Sequence, residues 1–214
     1  GGHLEVARLL LEAGASTSAS SSDGATPLHS AAGGGHTKVA RFLCGAGASA
    51  DALTQRGLTP LYAAAERGQT EAVRFLLERG ADKDLASCHG ARPVFIAAQH
   101  GHLEVVRLLC EAKADAGAAR KDGATPLVVA CSNGHAKVVR YLSEAEKARA
   151  LADGARWGAA RAEAAAPAPT SPGKDLEVAQ MFSMCDEDDG EVPREQRSPL
   201  LEIINGLTQR SWCA

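Results

Sequence analysis

Pro27, Pro60, Pro93 and Pro126 follow one another at intervals of 33 residues, and Gly2, Gly35, Gly68, Gly101 and Gly134 keep the same interval. Units of that length are too small to bury an apolar face alone, so they fold as a stack in which each covers the next. A stack spreads equivalent side chains along its length. That argues against one globular core wound around a catalytic pocket.

Within a unit the chemistry is local. Thr26 before Pro27 pairs an N-cap residue with one whose fixed φ suits the first helical position, so a helix starts there. Leu28, Ala31 and Ala32 share a face, and Gly35 stops the helix. A second helix follows, with Val39, Phe42 and Leu43 as its apolar stripe and Gly47 at its end. Residues 48–57 are small and polar up to Gly57, and they predict an extended arm with a tight turn before Thr59 and Pro60. Two departures weaken the unit that begins at Cys88. Arg92 stands at the capping threonine, worth about 1 kcal/mol, and Lys113 stands at the helix-ending glycine. Fraying is expected over 88–120 or at the C-terminal edge. In the last unit Glu146 takes the glycine position, so its helix is expected to run on.

DGATPLH from Asp23, the paired alanines, GHLEVVRLL from Gly101 and the RGAD ending at Asp82 together resemble the ankyrin repeat. The resemblance covers residues 1–145: a half repeat at 1–21, then units at 22–54, 55–87, 88–120 and 121–145. It implies an all-α solenoid of stacked antiparallel helix pairs with projecting β-turns, followed by a partly helical or disordered tail. Because the first unit opens in mid-repeat, Val6, Leu9 and Leu10 are expected to lack upstream cover. The chain reads as a monomeric fragment of a longer repeat protein.

Composition narrows the function. Hydrophobic residues make up 45% of the chain but aromatics only 4%, as thin layers of alanine and short aliphatics require. Residues 1–142 hold 15 basic and 13 acidic side chains and residues 143–214 hold 8 and 13. Neither segment carries the basic stripe that nucleic acid needs. No run approaches the roughly 20 apolar residues of a membrane span. A cytoplasmic location and reduced cysteines are expected, because Cys44 and Cys110 sit two units apart, beyond bridging distance.

His3, His36, His102 and His135 recur at one register, so they are expected to bond loop backbone between units rather than to converge on a substrate. His29, in TPLH, reads the same way. Cys88, His89, His100, His102 and Cys110 lack zinc-ligand spacing. No nucleophile elbow, phosphate loop or dinucleotide motif is present, so neither catalysis nor a cofactor is expected.

The ankyrin resemblance implies a concave face of turns and inner helices that holds protein partners. Carried onto this sequence, it proposes Arg56, Leu58, Glu66, Arg67, His89, Gln99, His100, Lys121 and Asp122 as contacts. Arg56, Leu58, Arg67, His89 and His100 form the expected energetic centre, with Leu58 exposed. The function implied is a non-catalytic interaction scaffold or adaptor for a partner the sequence does not identify. Two alternatives are a calcium-responsive regulator and the targeting arm of a larger enzyme.

The tail divides into a degenerate repeat or capping helix at 146–165, in which Trp157 could cover the stack, a Pro-rich linker at 166–174 and an acidic segment at 175–214. CDEDDGEVPREQ resembles an EF-hand loop, but it is one residue short before Gly190 and carries Gln196 where a bidentate Glu is needed.

Overall fold

The computed structural model describes residues 2–163, with side chains to Arg149. The linker at 166–174, the EF-hand-like segment and the side chain of Trp157 lie outside the described residues. Among those residues the chain is helical and has no strand. An opening helix α1 (Leu4–Glu12) precedes four helix pairs: α2 (Pro27–Gly33) with α3 (Thr37–Gly45), α4 (Pro60–Glu66) with α5 (Thr70–Glu78), α6 (Pro93–Gln99) with α7 (Leu103–Glu111), and α8 (Pro126–Ser132) with α9 (Ala136–Glu163). The inner helices α2, α4, α6 and α8 stack on one another in sequence order, and the outer helices form a second row behind them. The architecture is the all-α solenoid that the repeats imply.

Every inner helix has seven residues and starts on a proline. Their buried residues include the paired alanines, Ala31 with Ala32, Ala64 with Ala65 and Ala97 with Ala98, which let neighbouring helices approach closely. In α5 the expected stripe of Ala72, Phe75 and Leu76 is buried, whereas in α3 the buried set is rotated from it. Ala40, Leu43 and Cys44 carry the burial in α3, while Val39 and Phe42 are only partly covered. The reason is the second row itself: Phe42 lies between neighbouring outer helices, where the Arg8 guanidinium sits 5.9 Å from its ring centre. Arg41 over Phe75 at 4.7 Å and Arg107 over Tyr141 at 5.6 Å repeat the arrangement.

Helix starts follow the sequence with one substitution of device. The Thr59 and Thr125 hydroxyls accept from the backbone N–H groups of Tyr62 and Val128. The Thr26 N–H donates instead to His29 Nδ1 at 3.1 Å, and His29 Nε2 donates to the Leu58 carbonyl of the next unit at 2.9 Å. Arg92 caps nothing through its side chain. Its guanidinium instead bridges Asp115 at 3.3 Å and Asp84 at 3.6 Å, tying two consecutive inter-unit loops together. Lys113 takes the glycine conformation at φ 62°. Around these departures, Pro93 through Ala98 are all buried. The sequence weakness at 88–120 is thus met by ion pairs and by an inner helix that buries more of its residues than the other described inner helices.

Two of the four recurrent histidines, His102 and His135, bond backbone between units as their spacing implies, whereas His3 and His36 make no such bond among the described residues. His102 Nε2 donates to the Glu66 carbonyl at 3.1 Å and His135 Nε2 to the Gln99 carbonyl at 3.0 Å, each reaching back one unit. The rings fit over glycines of the preceding unit: a Cβ on Gly101 would stand 2.5 Å from His135 Nδ1. At the far end α9 continues through 145 and 146 without a break. The boundary drawn there from the period falls inside one helix, because no glycine stops it.

Candidate functional site

Four tight turns project beside the inner helices, each closed in the same way. In the second, Thr54 N–H donates to the Leu58 carbonyl at 3.0 Å and Gly57 N–H to the Thr54 carbonyl at 2.9 Å. Gly57 has φ 70°, which a side chain would strain. Successive turns are then joined backbone to backbone. Gln55 N–H donates to Asp23 O at 3.0 Å, Cys88 N–H to Arg56 O at 2.9 Å and Lys121 N–H to His89 O at 3.1 Å. This ladder holds the turn backbones in fixed relation to one another, so the side chains they carry start from an ordered frame.

Between the second and third turns, above α4 and α6, lies a groove of about 370 Å³. Six of the nine sequence-proposed contacts line it: Arg56, Leu58, Glu66, His89, Gln99 and His100. Arg67, Lys121 and Asp122 are exposed and stand outside it. The expectation of an exposed Leu58 is corrected. The residue is half-buried because its side chain packs against the core, and its carbonyl accepts from His29. Gln99 likewise has its carbonyl engaged, by His135 and by the Asn133 side-chain amide at 2.8 Å, leaving its side chain as the part on offer.

The groove also contains residues that sequence reasoning missed. Tyr62, Phe95 and Ile96 form its floor, and Arg120 closes one side. Tyr62 and Phe95 occupy the TPLH histidine position, which reads as framework. A position whose side chain lies between two turns serves framework and surface at once, and only the difference of Tyr62 and Phe95 from His29 signalled it. The Arg120 guanidinium lies 5.1 Å from the Phe95 ring centre and forks onto Asp122. That pairing holds the Asp122 carboxyl down at about 2. Burial pushes the Tyr62 phenol above its ordinary value, with Glu66 adding to the effect and Arg56 and Arg120 opposing it.

Cys88 and His89 sit on a turn, His100 caps the end of α6, and His102 faces the Glu66 carbonyl. Among the described residues no three His, Cys, Asp or Glu side chains gather as metal ligands. None of the described helices is long and apolar enough to cross a membrane.

Fold and surface together define a tandem-repeat solenoid that presents a pre-ordered face. The family model for ankyrin repeats, in three copies, matches residues 1–87 and again residues 83–153, and the chain belongs to the ankyrin-repeat family. No curated protein matches the chain. Ankyrin repeats are in general protein–protein interaction modules, and the family is typically non-catalytic.

Proposed function

We propose that the chain is a non-catalytic interaction scaffold or adaptor that holds a partner protein on its concave face, centred on the groove between the turns at 54–58 and 87–91. The observation that carries this reading is the ladder of turn-to-turn hydrogen bonds beside an open groove lined by Arg56, Glu66, His89 and His100. Rigid presentation lowers the ordering cost of association, and arginine with aromatic neighbours is the composition of interface hot spots. Arg67, Lys121 and Asp122 form a rim around that centre. The proposal includes a monomer in the cytoplasm, a setting compatible with the free thiols of Cys44, Cys88 and Cys110.

Affinity capture with the full chain tests it. A partner retained by the unaltered chain should fall about tenfold with Arg56→Ala combined with His89→Ala, the loss of a hot spot. Arg74→Ala, on the exposed side of α5, should leave capture unchanged. Equal capture by all three proteins would remove the concave face from the interaction.

A further inference from the structure

Tyr62 is the least expected feature of the groove. It is only 8% exposed, it lines the groove floor, and its hydroxyl has no hydrogen-bond partner among the described residues. With its ring packed and its groove open, the phenol is held in place and is available to a ligand that accepts a hydrogen bond. A phenol is protonated at neutral pH and hence a donor, and burial acts in the same direction. The charges it faces are the Arg56 and Arg120 guanidiniums against the single Glu66 carboxylate. Arg120 is held by Asp122, whereas Arg56 is exposed and forms no ion pair among the described residues. Beside them, Phe95 and Ile96 supply an apolar floor.

We propose, resting on the concave-face reading above, that the groove seats an extended partner segment through one Asp or Glu carboxylate placed between the Tyr62 hydroxyl and the Arg56 guanidinium, with an adjacent apolar side chain on Phe95 and Ile96. The carboxylate accepts from the phenol and pairs with Arg56, and both bonds are charge-assisted. A cationic side chain would meet two guanidiniums there. Glu66 limits the site to a single acid, because a run of acids would bring like charge against it. The volume suits a short side-chain pair rather than a folded element.

A phage-displayed dodecamer peptide library, panned on the full 214-residue chain, tests the assignment, with enriched peptides then measured by fluorescence anisotropy. Enriched sequences should share an Asp or Glu next to an apolar residue. Tyr62→Phe, which removes only the hydroxyl, should weaken binding about tenfold, the size of a lost hydrogen bond to a charged group. Arg56→Gln should weaken it several-fold and flatten its salt dependence. Replacing the peptide acid by its amide should cost the unaltered chain more than either substitution alone, and should cost Tyr62→Phe only the several-fold share carried by Arg56.

Peptides without an acid, or peptides that bind Tyr62→Phe as well as the unaltered chain, overturn the carboxylate assignment. If such peptides still lose binding to His89→Ala and His100→Ala, the concave-face reading survives that failure. Peptides indifferent to every groove variant, or no enrichment at all, end both.

Discussion

Helices α1 and α7 are nearly the same sequence, LEVARLLLE and LEVVRLLCE, yet they live in different solvents. Val105 is 1% exposed and Leu109 is fully buried, while their counterparts Val6 and Leu10 are 53% and 55% exposed. The difference is position in the stack. The outer helix α7 is covered by its inner partner α6 and flanked by α5 and α9. Among the described residues α1 has α3 on one side and no inner helix of its own. An amphipathic stripe therefore states which face can be buried, and only the neighbour decides whether it is.

The sharpest way to break this comparison is a matched pair of truncations. Leu109→Ala should cost roughly 2–5 kcal/mol, the transfer and cavity terms of a filled core site, whereas Leu10→Ala should stay within about 0.5 kcal/mol. Urea unfolding followed by circular dichroism reads both. Equal losses would show that α1 is covered in solution.

Next in size is Gly101, which corresponds to Gly2. Alanine at Gly101 meets the His135 ring and a φ of 74°, and should destabilise by about 2 kcal/mol. A smaller loss in the same unfolding assay would mean that His135 can swing aside. Smallest is the end of the two helices, where Gly14 in one matches Lys113 in the other. Lys113→Gly relieves a side chain held at positive φ and should stabilise by about 1 kcal/mol, seen as a rise in Tm. A fall would assign Lys113 a contact that outweighs its backbone strain.

Much of the groove lining was legible, for a reason visible in particular residues. Arg56 and His89 sit at turn positions whose backbone is set by Gly57 and Gly90, so their placement follows from the period. Arg67 sits at the C-cap of α4 with the same spacing logic and stands outside the groove, because spacing gives register and not direction. Tyr62 and Phe95 were hidden, since inner-helix positions that pack on the core and positions that floor a groove look alike in one sequence. Arg92 read as a lost cap; its compensation, ion pairs to Asp84 and Asp115, lies 8 and 23 residues away and has no local signal.

By itself the sequence determined the repeat length, the helix starts at Thr-Pro, the glycine stops and the turn positions, all of which rest on backbone preferences within a few residues. Tertiary structure alone decided which stripes are covered, which carbonyls the histidines reach, and that a groove opens beside Tyr62. Those outcomes depend on contacts between units about 33 residues apart, where free energy comes from excluding water between surfaces that no single repeat possesses.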